Sequence, residues 1–320
     1  MPDYLLETQD LTRYFRLSGP WGRGPVLKAV EGVDISVRAG ETLGLVGESG
    51  CGKSTLGRLV LALLAPTRGR VSFGGEEVTA LSKARLKEMR RQMQIVFQDP
   101  YSSLNPRLMV RHLLEEPYII HDLGTKPERR AWVAELIREV GLGEEHLERY
   151  PHEFSGGQRQ RLGIARALAL KPRLIIADEP VSALDVSIQA QILNLLEELQ
   201  QRHGLTYLFI SHDLSVISRI SDRIAVMYLG RLVELAPREI FDTERLHPYT
   251  EALLAAVPLP DPARPFKPPE LKGDPPSPIN IPSGCPFHPR CPEAQFPVCR
   301  DVFPEYRETA AEHWVSCHFR

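Results

Sequence analysis

The chain has 320 residues, with 39 Lys and Arg against 41 Asp and Glu, giving a formal net charge of −2. That length accommodates one large domain with an appendage, and the absence of a basic excess argues against a general nucleic-acid binder. The start, Met1-Pro2-Asp3-Tyr4, has neither a basic nor an apolar leader region, and the longest apolar run, around Leu59 to Ala65, is far too short to span a bilayer. The reading is a soluble chain, or one held at a membrane by a partner.

In chain order, Leu5 to Thr8 and Val33 to Val37 alternate in polarity on either side of a Gly/Pro loop at Ser18 to Pro25, which predicts an antiparallel β-layer. Thr42 to Val46 reads as a short buried strand, and Leu56, Leu59, Val60, Leu63 and Leu64 recur at helical spacing. Between them stands Gly47-Glu48-Ser49-Gly50-Cys51-Gly52-Lys53-Ser54-Thr55. A glycine-rich loop between strand and helix is the context of a phosphate-binding loop. Its glycines let backbone N–H groups turn inward, and the new helix directs its positive end at the same place. Lys53 can then reach the β- and γ-phosphates, and the Ser54 hydroxyl can ligate Mg²⁺.

Arg70 to Val78 reads as a hairpin about Gly74-Gly75, and Ile95 to Phe97 as a strand leading into Gln98. Leu104 to Leu170 turns helical, with breaks expected at Pro117, Pro127 and Pro151, and the stretch of about 105–170 reads as an inserted helical subdomain. Leu174 to Ala177 is a wholly apolar run, as in a central parallel strand. Asp178 and Glu179 follow it directly. An Asp there can hold Mg²⁺, and the Glu can take a proton from an attacking water, so together with the phosphate loop the pair indicates a nucleotide hydrolase. Ser155-Gly156-Gly157-Gln158 opens a helix and reads as a second phosphate-binding helix terminus, useful if it meets nucleotide held by another copy of the fold. Ile188 to Leu199 marks an amphipathic helix, Tyr207 to Ile210 a buried strand, and Ile224 to Leu235 a hairpin about Gly230. Strands alternating with helices around the loop predict an α/β core.

Ten prolines between Pro258 and Pro282 predict an extended linker. We expect residues 1–257 to form the nucleotide-binding domain, 258–282 the linker, and 283–320 a Cys-rich segment. That segment holds Cys285, Cys291, Cys299 and Cys317, with His288, His313 and His318 among them. Four thiolates suit zinc or an iron–sulfur cluster, but the spacing matches neither paired C-x2-C zinc sites nor the common ferredoxin runs. Spacing alone leaves zinc, a cluster and no metal open.

These motifs together resemble the ATP-binding subunit of an ABC transporter. Gly47 to Thr55 resembles the Walker A motif, Gln98 the Q-loop glutamine, and Ser155 to Gln158 the ABC signature. Leu174 to Glu179 resembles Walker B with its catalytic glutamate, Ser182-Ala183-Leu184-Asp185 the D-loop, and His212 the switch histidine. The stretches Gln98 to Pro106, Ser182 to Leu195, His247 to Leu254 and Gly284 to Pro292 narrow the resemblance to the oligopeptide/dipeptide/nickel importers, and Gln158 to Arg166 to the F-type member of their ATPase pair.

The resemblance implies a P-loop NTPase fold: a RecA-like core with an antiparallel β-layer, a helical subdomain and the Cys-rich C-terminal segment. It implies ATP hydrolysis at a dimer interface, powering import of oligopeptides or dipeptides. Glu179 is then the general base and His212 the γ-phosphate partner. Ser54, Gln98 and Asp178 serve Mg²⁺, and Tyr14 or else Phe15 stacks on adenine. Ser155, Gly156, Gly157 and Gln158 meet the partner chain's nucleotide, and Asp185 couples the two sites. A [4Fe-4S] cluster on Cys285, Cys291, Cys299 and Cys317, with the histidines around it, is implied, zinc being the alternative. Cys51, at an x position of the loop, lies near Lys53, which could make it reactive. The implied partners are two polytopic permease subunits, a second ABC ATPase and, indirectly, an extracytoplasmic solute-binding protein, with the chain at the cytoplasmic face of the cell membrane and no nucleic acid bound. The competing reading is a soluble ABC-type ATPase acting on nucleic acid or ribosomes.

Overall fold

The computed structural model describes residues 4–19, 24–243, 246–256 and 273–320, without the side chains at 100, 102 and 243. The expected proline-rich linker lies outside the described residues as far as 272. In chain order the elements are β1 (Tyr4–Arg16), β2 (Val26–Val33), β3 (Ser36–Arg38), β4 (Thr42–Val46), α1 (Lys53–Val60), β5 (Arg68–Phe73), β6 (Glu76–Glu77), α2 (Lys83–Gln92) and β7 (Met93–Val96). Then follow α3 (Pro100–Ser103), α4 (Val110–Ile120), α5 (Lys126–Glu139), α6 (Gly156–Leu168), β8 (Leu174–Asp178), α7 (Val186–His203), β9 (Thr206–Ser211) and α8 (Leu214–Ile220). The chain closes with β10 (Arg223–Tyr228), β11 (Arg231–Pro237), α9 (Ile240–Thr243), α10 (Pro248–Ala255), α11 (Val298–Asp301), β12 (Arg307–Ala310) and β13 (His313–Val315). None of the helices among the described residues is long and apolar enough to cross a membrane.

Two compact units emerge. One takes Met1–Arg38, Thr42–Ala80 and Ile210–Arg320. It holds the antiparallel layer β2-β1-β5-β6, with β3 also paired to β1. It also holds the strand order β12-β13-β11-β10-β4, in which β10 runs parallel to β4 and antiparallel to β11. The wholly buried β4 and β10 carry continuous apolar runs, as a sheet covered on both faces requires. Gly44 belongs to this packing, since a Cβ there would sit 2.3 Å from Ser221 Oγ.

The other unit takes Ala39–Glu41 and Leu81–Phe209. Its parallel pair β7 and β8 places Ile176 beside Ile95, and α2 to α7 complete it. α5 opens on a capping box, in which Glu128 accepts from the Thr125 N–H (2.6 Å) behind Pro127 in the first turn.

Three local expectations are corrected. The apolar spacing at Leu63 and Leu64 does not extend α1, because the helix stops at Val60 and Ala62 turns left-handed (φ 49°). The Leu63 and Leu64 N–H groups fold back onto the Arg58 carbonyl at 2.9 and 3.3 Å. Pro117 does not break the helix but lies inside α4. A proline in a helix interior costs about 3 kcal/mol through the lost bond and the ring's clash with the preceding turn, which burial of Leu113, Leu114 and Tyr118 on the same helix offsets. Finally, the C-terminal segment is built into the first unit, because β13 pairs with β11 through Trp314 and Val315 and Ser316 N–H donates to the Val233 carbonyl (2.8 Å). Its alternation is too short to be read in advance.

Candidate functional site

In the first unit the loop Gly47–Thr55 joins β4 to α1, as its sequence context predicts. Gly52 shows why glycine is needed. Its φ is +110°, and a Cβ would stand 2.0 Å from the Ala29 carbonyl oxygen. Lys53, buried at 4 % exposure, curls back so that Nζ donates to the carbonyls of Gly47 (2.7 Å) and Glu48 (3.0 Å). This is a cation held over the mouth of a loop, poised to exchange two carbonyl acceptors for anionic oxygens. Ser54 and Thr55 are half-buried in the first turn of α1.

Cys51 is buried, and burial pushes its thiol up against the opposing Lys53 charge, which disfavours the thiolate form. The Tyr14 hydroxyl donates to Glu31 Oε1 (2.5 Å), and the Lys28 ammonium lies 5.5 Å from the ring centroid. Burial, then the Glu31 bond, pushes its phenol up to about 12. Phe15 carries the Arg13 guanidinium at 4.6 Å. His212, exposed, follows β9, and the next residue, Asp213, caps α8 by accepting from Ser215 N–H (2.8 Å).

In the second unit the buried β8 ends on Asp178. Glu179 follows in left-handed backbone (φ 47°), a conformation that costs about 1–3 kcal/mol for a non-glycine and is kept where surrounding structure imposes it. Gln98 Nε2 donates to Glu179 Oε2 at 2.9 Å, so the two residues are brought together. The Ser182 hydroxyl donates to the Glu179 carbonyl (3.2 Å).

Ser155 and Gln158 close a reciprocal cap on α6. Gln158 N–H donates to Ser155 Oγ (3.3 Å) and Ser155 N–H to Gln158 Oε1 (3.0 Å). Gly157 has a packing role that the sequence did not disclose, since a Cβ there would meet Ile188 Cγ2 at 2.5 Å. Gly156 is exposed beside Leu184. Asp185, exposed at the head of α7, accepts the Gln189 N–H at its carbonyl (2.8 Å).

The four C-terminal cysteines, 32 residues apart end to end in sequence, line one cavity with His247, His288 and His318. Burial pushes the Cys285 thiol up to about 12 and Cys291 up to about 11. The space between them is about 20 Å³, little more than a water needs. Accordingly, among the described residues no group of three or more His, Cys, Asp or Glu stands ready to hold a metal ion. His313 is not part of the cavity lining. It forms a buried pair with Glu234, Nε2 to Oε1 at 2.8 Å. His247, which sequence reasoning missed, is held neutral by burial, its pKa pushed down to about 3, and its Nδ1 accepts the Tyr249 N–H (3.1 Å).

Residues 30–182 match the model of the ABC transporter family, and residues 233–299 match that of the oligopeptide/dipeptide transporter C-terminal region. The oligopeptide transport ATP-binding protein AppF of Bacillus subtilis is 54 % identical over 321 residues, spanning 98 % of this chain and 97 % of its own. Among solved structures, an ATP-binding cassette dimer in a post-hydrolysis state with ADP and Pi is similar with TM-score 0.65 and 30 % identity, over 73 % of this chain and 98 % of that one. The cassette cbiO1 of Clostridium perfringens, part of the transporter complex cbiONQ, matches with TM-score 0.65 and 27 % identity, over 75 % of this chain and 92 % of that one.

Proposed function

This chain belongs to the ABC transporter family, and from that premise we propose that it is the ATPase that powers import of oligopeptides or dipeptides through partner membrane subunits. The observation that carries the reading is end-to-end similarity at 54 % identity to an oligopeptide transport ATP-binding protein, across both the cassette and the C-terminal region. Nucleic-acid or ribosome action has no comparable support.

In the first unit, the loop Gly47–Thr55 takes the triphosphate, Lys53 pairs with its β- and γ-oxygens, and Tyr14 stacks on adenine. His212 hydrogen-bonds the γ-phosphate. In the second, Glu179 accepts a proton from the attacking water and Gln98, already bonded to it, orients that water. The family resemblance gives Mg²⁺ the oxygen donors Ser54 in the first unit and Gln98 and Asp178 in the second, and when bound it would neutralise charge developing on the phosphates. Ser155 to Gln158 reach the nucleotide of a second ATPase subunit, and Asp185 couples the two sites. The F-type resemblance favours a heterodimer.

Docking to two permease subunits at the cytoplasmic face of the membrane is supported by a groove of about 230 Å³ lined by Phe97, Leu104, Pro117 and Ile120, with Arg166 and Glu116 at its polar side. Phe97, Tyr101 and Ile120 are exposed large apolar groups. An extracytoplasmic solute-binding protein, acting through the permease subunits, delivers the peptide.

The four C-terminal cysteines share one cavity, which supports reading them as one set of donors. Cys285, Cys291, Cys299 and Cys317 are the residues that the family resemblance would give a [4Fe-4S] cluster, with zinc as the alternative, and Gln295 N–H donates to Cys299 Sγ (3.4 Å). Such a group, when bound, would tie the turns of the segment together.

Affinity purification of the full chain from its native membrane will bring down two polytopic membrane proteins. Recovery with ribosomes or nucleic acid instead contradicts the assignment. Cys285→Ser and Cys317→Ser are each expected to lose bound iron and visible absorbance relative to wild type. Unchanged metal content in both variants removes the ligand assignment.

A further inference from the structure

Glu48, second residue of the nucleotide loop, is held by three contacts besides the loop's own turn, in which its carbonyl accepts the Cys51 N–H (3.2 Å). Its N–H donates to the Tyr249 hydroxyl oxygen (2.9 Å) and its carbonyl accepts from Lys53 Nζ (3.0 Å). Its carboxylate takes a paired contact from Arg290, Nη1 to Oε2 and Nη2 to Oε1, both 2.9 Å. Two parallel N–H···O bonds between planar groups fix direction as well as distance. The Lys53 contact is the one that must break when the ammonium turns to the phosphates. The other two come from outside the loop and can persist through that exchange.

Arg290 is itself rigidly placed. It is 6 % exposed, and its own N–H donates to the Phe287 carbonyl (3.0 Å), as does that of Cys291 (3.0 Å). The turn it occupies lies between Cys285 and Cys291. Phe287 packs at 5.4 Å against both Tyr228 and Tyr249, and those two rings lie 4.7 Å apart. The Tyr228 hydroxyl faces the same guanidinium. Glu48 is therefore anchored to a packed aromatic cluster.

We propose that Arg290 is a positioning residue for the ATP-binding loop: through the Glu48 carboxylate it keeps the Gly47–Glu48 backbone in its bound-ready shape after Lys53 leaves for the phosphates. A loop shaped in advance binds without first paying its ordering cost, so the effect falls on ATP affinity and not on the hydrolytic step. This role rests on the ATPase reading. It adds a residue 242 positions away from Glu48 in sequence.

Steady-state ATP hydrolysis by the full chain, assembled with its partner subunits, tests it. Arg290→Gln is expected to raise KM for ATP about tenfold while kcat stays within about threefold. Glu48→Gln should do the same, Arg290→Lys should recover part of the loss, and the double variant Arg290→Gln/Glu48→Gln should be no worse than either single one, because both remove one interaction. KM within twofold of wild type for Arg290→Gln overturns the proposal, and so does a double variant whose effect is the product of the two singles. If Arg290→Gln does not fold, Glu48→Gln alone decides: a KM unchanged from wild type overturns the role. A wild-type chain that neither binds nor hydrolyses ATP would instead overturn the ATPase reading itself, so the two failures are distinguishable.

Discussion

Glu179→Gln will still bind ATP but will hydrolyse it about 10²–10⁴-fold more slowly, the usual loss when a general base is removed. The substitution keeps the size and planarity of the side chain and leaves an oxygen to accept from Gln98 Nε2, now at 2.9 Å from Glu179 Oε2. What it removes is the capacity to take a proton. The surrounding structure fixes the backbone that carries this side chain: it is in the left-handed region immediately after the buried β8, and the Glu179 carbonyl accepts from Ser182. A glutamine in this setting should occupy the same place, so a loss of turnover reports on chemistry and not on folding. Single-turnover hydrolysis beside equilibrium nucleotide binding separates the two. Near-normal hydrolysis in the assembled complex would remove Glu179 from the mechanism.

Lys53→Ala will lose ATP affinity by roughly 10–100-fold, because each hydrogen bond from a charged donor contributes about 1.5–3 kcal/mol. The ammonium now satisfies the Gly47 and Glu48 carbonyls at 2.7 and 3.0 Å in a nearly inaccessible position. Alanine supplies neither that internal tether nor a positive charge for the phosphates. The variant should therefore fail at binding, before any question of turnover arises, in contrast to Glu179→Gln. Fluorescent-nucleotide titration reads the difference, and an unchanged dissociation constant would refute the role. On the dimer reading, the same variant should also fail to close against its partner subunit, since the bound nucleotide is what the partner's signature contacts.

Much of this site was legible in the sequence because its chemistry is local. A glycine loop between β4 and α1, an apolar strand ending in Asp178 and Glu179, and a Ser cap before Gly156 and Gly157 are all contiguous patterns, and the structure places them on the expected elements. What escaped is non-local. Arg290 reads as one more charged residue in a proline-rich stretch until the fold sets it against Glu48, and Tyr249 until its hydroxyl meets the Glu48 N–H. Gly157 signalled phosphate contact, while its tight packing on Ile188 depends on where α7 lies. Helix limits failed for a related reason. Leu63 and Leu64 keep helical spacing, but the chain reverses at Ala62, and Pro117 is tolerated because its neighbours are buried. The cysteine spacing could not choose among zinc, a cluster and no metal, since the convergence of Cys285, Cys291, Cys299 and Cys317 on one cavity is a property of the folded segment.

The most direct test is uptake of a labelled oligopeptide into proteoliposomes holding the permease subunits, with solute-binding protein outside and this chain and its partner ATPase inside. ATP in the lumen should drive accumulation with wild-type chain, and Glu179→Gln should reduce it at least tenfold. Accumulation that proceeds without ATP, or equally with Glu179→Gln, would contradict the account.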